Sequence, residues 1–166
     1  MQKIATLREL LIHQLQDIHT VERQTTRLIP RMMELAKNRE LRDLLERCRD
    51  ESKEHVERLN ESLAILQQQA STERCEAMAG LITEADNLLM QTGENGVRDT
   101  ALAAIAHKLQ QYELAGYNTA KTLAQTLGYH KIVELFKQSI DEGSDTGRRL
   151  LELSSKKLHR KALAGV

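Results

Sequence analysis

Three carboxylates fall where an amphipathic helix would be expected to bury hydrocarbon. Glu22, Glu51 and Glu113 each interrupt an apolar stripe, and His55 lies one turn after Glu51 on the same stripe. A carboxylate carried into a core is costly unless it is paired, hydrogen-bonded or bound to a metal. A chain that places several of them at mid-helix positions must therefore bring helices together around a polar centre. Facing helices that project Glu and His inward are also the way carboxylate-bridged pairs of iron or manganese ions are held in bundles.

The stripes themselves define the helices. The first, over about residues 6–37, reads Ile4, Leu7, Leu11, Leu15, Ile18, Glu22, Thr25, Ile29, Met32 at steps of three and four. Pro30 should kink its last part, and Asn38 marks the break. The second, about 40–69, carries Leu41, Leu45, Cys48, Glu51, Ser52, His55, Leu59 and Leu63. A short third helix, about 73–90, holds Met78, Leu81 and Ile82 and should end at Gly93 and Gly96. The fourth, about 97–127, contains Leu102, Ile105, Leu109, Tyr112, Glu113 and Ala120 and stops at Gly128. The fifth, about 131–158, runs through Ile132, Phe136, Ile140, Gly143, Gly147 and Leu150. No strand candidate competes. With 2% aromatic residues and one proline among 166, the core must be built from Leu, Ile, Ala, Val and Met. The expected fold is all-α, a single ferritin-like four-helix bundle in which the short helix makes the long crossover.

Charge and cysteine content limit the alternatives. Lys and Arg number 24 against 24 Asp and Glu, and no long basic face is present, which argues against a nucleic-acid partner. The one basic cluster, Lys156, Lys157, His159, Arg160 and Lys161, reads as a frayed helix end whose cations suit the dipole. Cys48 and Cys75 form neither a metal pair nor a disulfide framework, and Cys48 reads as a small core residue. No signal peptide or membrane span is legible, so a cytoplasmic protein without a membrane partner is expected.

The polar residues have two readings. As ligands, Glu22, Glu51, His55 and Glu113 supply hard oxygen and one imidazole to a metal pair, with iron or manganese as the expected ions. On the fifth helix Glu142 and Asp145 are spaced like a ligand pair but are offset from the main stripe, and the inward Gly143 and Gly147 supply no donor. These glycines mark a close helix approach, a local opening or the place of lost ligands. As structural groups, Glu22 pairs with an arginine and His55 is a satisfied interior imidazole. His19, Tyr112 and Tyr117 are candidate supporting groups, although a tyrosine on a bundle stripe more often packs with its hydroxyl at the rim.

The chain resembles the YciF/YciE-type family of bacterial ferritin-like stress proteins, the YciF branch above all. The resemblance spans nearly the whole length. It rests on Asp17-Ile18-His19-Thr20-Val21-Glu22-Arg23-Gln24, Asp50-Glu51-Ser52-Lys53-Glu54-His55-Val56-Glu57-Arg58-Leu59, Cys75-Glu76-Ala77-Met78-Ala79-Gly80-Leu81-Ile82, Val97-Arg98-Asp99-Thr100-Ala101-Leu102, Tyr112-Glu113-Leu114-Ala115-Gly116-Tyr117 and Leu127-Gly128-Tyr129. It implies a homodimeric bundle with a stress-associated role and a di-metal centre to which Glu22, Glu51, His55 and Glu113 correspond. Three departures stand out: His19 replaces a Tyr, Gln110 replaces a Glu, and the family's Leu-x-Glu-Glu-Lys-x-x-Asp becomes Ile140-Asp141-Glu142-Gly143-Ser144-Asp145-Thr146-Gly147, which keeps only Glu142 of the acidic set. The function expected is a stress-response protein without catalysis around a partly degenerate metal site. The alternative is a di-iron carboxylate protein that oxidises iron or consumes peroxide or oxygen.

Overall fold

The computed structural model describes residues 3–93 and 96–165. Helix α1 spans Leu7–Leu35, α2 Arg39–Ile65, α3 Glu76–Gln91, α4 Gly96–Thr126 and α5 His130–Leu153. A π turn at Ser154–Leu158 then leads into a short α6, His159–Ala164. No strand occurs among the described residues.

Local chemistry sets most of the ends. Thr6 and Glu9 form a reciprocal capping box at the start of α1. Asn38 caps α2 by accepting from the Leu41 N–H at 3.0 Å. The buried Asp99 of α4 binds the same corner, accepting from the backbone N–H groups of Lys37 and Asn38 at 2.8 and 3.0 Å. Several boundaries differ from the sequence expectation. Helix α1, which runs through Pro30, ends at Leu35 rather than near Lys37. Helix α2 stops at Ile65 rather than near Gln69, because Gln67 takes a left-handed conformation (φ 55°) and the Gln68 N–H turns back to the Leu63 carbonyl. Helix α3 begins only at Glu76, since Gln24 of α1 accepts from the Cys75 N–H at 3.0 Å and holds that stretch outside the helix.

At the other junction, Gly96 opens α4 instead of closing α3. A Cβ there would lie 2.9 Å from the backbone nitrogen of Ala162, so its absence lets α6 dock against the start of α4. The basic C-terminal segment is accordingly helical rather than frayed. Leu158 is buried in the core, and Lys157 pairs with Glu40 of α2.

The four long helices pack as α1 on α2, α4 on α5, α1 on α4 and α2 on α5. Helices α1 and α5 run one way and α2 and α4 the other, so α3 spans the length of the bundle between α2 and α4. The apolar core falls into two clusters. Leu11, Leu15, Leu59, Leu63, Tyr117 and Phe136 fill one end. Leu28, Met32, Leu41, Leu45, Leu102 and Leu150 fill the other. Ile4 and Leu7, the first positions of the α1 stripe, lie beyond the packed region and are exposed. Between the two clusters lies a belt of buried polar side chains.

Candidate functional site: a carboxylate belt across the bundle

The belt draws on every long helix. Glu22 and Thr25 come from α1, Glu51, Ser52 and His55 from α2, Gln110, Glu113 and Tyr117 from α4, and Ser139 and Thr146 from α5, all buried. Helical steps of three and four turn these side chains inward, and packing of the two apolar clusters on either side brings them to one height. Glu142, the offset residue of α5, reaches the belt from its half-buried edge.

His55 is the hub. Its Nδ1 lies 2.9 Å from Glu22 Oε1 and its Nε2 lies 3.1 Å from Glu142 Oε2, which ties α2 to α1 and α5. Ionised carboxylates only accept, so below its pKa the imidazole donates to both through its two nitrogens, as a cation. Burial by itself would lower its pKa, but the bonds and charges of Glu22 and then Glu142 outweigh that and raise it above 6.5. Tyr117 donates its hydroxyl to the same Glu22 Oε1 at 2.9 Å and meets the His55 ring edge-on at 5.5 Å. The hydroxyl sits in the interior rather than at the rim, and burial followed by the Glu22 charge pushes its pKa well up.

The remaining carboxylates are met by the chain's own groups. Arg58 grips Glu142 through both guanidinium nitrogens, at 2.6 and 2.8 Å, and reaches Ser139 Oγ at 3.1 Å. That fork outweighs burial and holds the Glu142 carboxyl below the usual range. Glu51 accepts from Arg47 Nε at 2.6 Å and from the Thr146 hydroxyl, which stands 2.9 Å from both of its oxygens. Glu113 has one such donor, Thr25 Oγ1 at 2.7 Å. Burial raises its pKa well above normal, the charges of Glu22 and Glu51 add to this, and Thr25 opposes it. Glu22 Oε2 is buried with no hydrogen-bond partner among the described residues.

Of the five sequence-derived candidates, Glu22, His55 and Glu142 form one hydrogen-bonded chain, whereas Glu51, with Arg47 and Thr146, and Glu113, with Thr25, make separate bonds in the same belt and act on one another through charge. Asp145, the other acid on the same turn of α5, pairs instead with Arg47, Arg148 and Arg149 towards the surface. His19 is buried beside this network with its Nδ1 unpartnered. Tyr112 lies aside, its hydroxyl 3.6 Å from Cys75 Sγ. Cys48 is buried and free, and burial raises its thiol pKa. Tyr117, one of the candidate supporting groups, does bond to an acid, whereas Arg47 and Thr146 were not legible as partners. Arg47, four residues before Glu51, carried the one local signal.

The arrangement does not fit a two-metal group. Both nitrogens of His55 are engaged, Glu142 is held by an arginine, and Glu51 by an arginine and a threonine. On α5 the inward Gly143 and Gly147 offer no donor, and the Thr146 hydroxyl already bonds Glu51. A Cβ on Gly143 would lie 3.0 Å from Gln110 Oε1, so α4 makes a close approach there. Among the described residues, no three His, Cys, Asp or Glu side chains are placed to hold a metal ion. Gly147 is looser, with its nearest neighbours at 3.6 Å and beyond. Gly147→Ala should therefore stabilise the protein by up to about 1 kcal/mol through helix propensity; a lowered midpoint in urea would show that His107 or Gln111 needs that space.

No helix is long and apolar enough to cross a membrane among the described residues. A family model described as a domain of unknown function, DUF892, matches residues 6–163. Protein YciF of Escherichia coli (strain K12) is 32% identical over 161 residues, 95% of this chain and 95% of that one. The crystal structure of the E. coli stress protein YciF superposes with a TM-score of 0.88 at 32% identity, covering 95% of this chain and 100% of that chain. YcfI from Rhodopseudomonas palustris gives 0.86 at 34% identity over 90% and 95% of the two chains. A protein from Xanthomonas campestris pv. campestris shares the fold, with a TM-score of 0.73 at 17% identity over 90% and 92%. With its bundle, its crossover helix and a family match over nearly its entire length, the chain belongs to the DUF892 family, the family of YciF-like helical proteins.

Proposed function

We propose that this protein is a stress-associated structural protein that works without turnover, as a cytoplasmic homodimer that binds neither nucleic acid nor membrane. The stress association follows from the similarity to the E. coli stress protein YciF. The observation that supports a non-catalytic reading is the state of the carboxylate belt. Glu22, Glu51 and Glu142 are met by three cations of the same chain, His55, Arg47 and Arg58. Such a core fixes the relative positions of α1, α2 and α5 and leaves few open ligand positions for chemistry. Protein purified from cells supplied with iron and manganese should contain well under two metal ions per chain by elemental analysis. Full two-ion occupancy would reject the reading, and light scattering on the same sample checks the dimer.

A second reading, a di-iron carboxylate protein, is favoured by one atom. Glu22 Oε2 is buried and unpartnered, and Glu113 is crowded by the charges of Glu22 and Glu51. A divalent cation there would relieve both. On this reading aerobic addition of ferrous iron produces an oxo-bridged ferric absorption that Glu51→Ala abolishes. A flat spectrum ends it.

A further inference from the structure

We infer that the outer groove between α1 and α2 binds a small phosphate monoester, held by Arg23, Arg27 and Lys53. The groove has a volume of about 270 Å³ and is lined by these three residues with Thr26, Val56 and Glu57. Its charged side chains are exposed, on the solvent side of the two helices, so the inference goes beyond both readings of the carboxylate belt and depends on neither. Arg23 and Arg27 stand one turn apart on α1, a spacing that puts both on one face, and Lys53 meets them from α2. Other surface arginines of the chain are paired: Arg31, Arg49 and Arg148 meet carboxylates at 2.9, 3.0 and 2.6 Å. Neither Arg23 nor Arg27 forms an ion pair or a side-chain hydrogen bond among the described residues. Lys53 meets Asp50 at 3.1 Å, and its ammonium keeps further donors.

Three cations face one carboxylate, Glu57, so the lining carries two net positive charges. A phosphate monoester matches this: it is close to a dianion at neutral pH, and its oxygens accept from several donors at once. Guanidinium forks suit such an oxyanion, because their planar N–H pairs meet two of its oxygens together. A single carboxylate would leave one positive charge unmatched. The rest of the lining offers the anion little. The Thr26 hydroxyl donates to the Glu22 carbonyl at 2.8 Å, and Val56 presents hydrocarbon. That wall suits the carbon skeleton of an ester rather than a bare ion.

The test titrates the full chain with ribose 5-phosphate at pH 7.5, with ionic strength held constant by NaCl, and follows heat and backbone amide shifts. Inorganic phosphate and acetate are the comparison ligands. Shifts should concentrate around Arg23, Arg27 and Lys53, with ribose 5-phosphate bound more tightly than either comparison ligand. Arg27→Gln should weaken binding about threefold and Arg23→Gln with Arg27→Gln about tenfold, the scale of exposed charge contacts. Glu57→Gln, which removes the opposing carboxylate, should tighten binding about threefold on the same scale. These positions are exposed, and circular dichroism checks that each variant stays helical. Shifts scattered over other basic residues, variants that bind as wild type does, or equal affinity for inorganic phosphate or acetate overturn the inference. None of these results alters the reading of the belt, which the metal content decides separately.

Discussion

His55→Leu should cost this protein about 3–5 kcal/mol of stability, the range for removing one partner of a buried ion pair. The substitution keeps the volume of the side chain and deletes the cation. Glu22, with no exposed surface, is then left with the Tyr117 hydroxyl as its one donor. Glu142 suffers less, since Arg58 still holds both of its oxygens and solvent reaches it. His55→Gln, which can donate to one carboxylate but carries no charge, should fall between wild type and His55→Leu. Urea unfolding at pH 6 measures the series. Combining His55→Leu with Glu22→Gln should recover at least about 1 kcal/mol of the loss, because neutral Gln no longer needs the cation. Strict additivity of the two changes would show that the pair is not coupled.

The second large effect is a stability that declines as the solution becomes alkaline. Glu113 has a folded pKa raised above 4.5 by burial, then by Glu22 and Glu51, against the pull of Thr25. The folded chain therefore keeps a proton that the unfolded chain releases near that value, and stability falls as pH rises from there towards the folded pKa. His55 acts in the same direction over a higher window. Its folded pKa lies above 6.5 because Glu22 and Glu142 outweigh burial, so its contribution is complete below about 6.5 and is lost as pH rises through the folded value. Glu142 has the opposite sign: its folded pKa is lowered, and its contribution disappears as pH falls through that value, below 4.5. The thermal midpoint should thus peak under mildly acidic conditions and drop as pH rises above about 6.5.

Glu113→Gln isolates one part of this behaviour. Its amide oxygen can still accept from the Thr25 hydroxyl, and no charge can develop against Glu22 and Glu51. At pH 8 the variant should gain on the order of 1 kcal/mol, the scale of one relieved buried polar mismatch, and its midpoint should vary less with pH. A variant less stable than wild type at pH 8, with an unchanged pH profile, would show that Glu113 holds no such proton.

How far the site could be read from the chain depended on how many residues separated the partners. The steps of three and four that run through Glu22, Glu51, His55 and Glu113 placed these side chains on inward faces, and the structure buries all four. Tyr117 was legible as a candidate supporting group, but its partner was not, because its bond to Glu22 joins positions 95 residues apart. Arg58 lay within a recognisable run of sequence, yet its fork onto Glu142 spans 84 residues. Helix ends were less legible. Gln67 turns left-handed without being a glycine, and Cys75 is kept out of α3 by a glutamine from another helix.

The sequence by itself determined that the chain forms long amphipathic helices and that acids interrupt their buried faces, since helical spacing and side-chain polarity are local properties. Only the tertiary structure decided what those acids meet. The rotation and axial offset of each helix are set by packing of the two apolar clusters, and this packing brings an imidazole between two carboxylates, an arginine onto each of Glu51 and Glu142, and α4 against Gly143. A shift of one residue along any of these helices would rotate the side chain about 100° and dissolve the network, because 3.6 residues complete a turn.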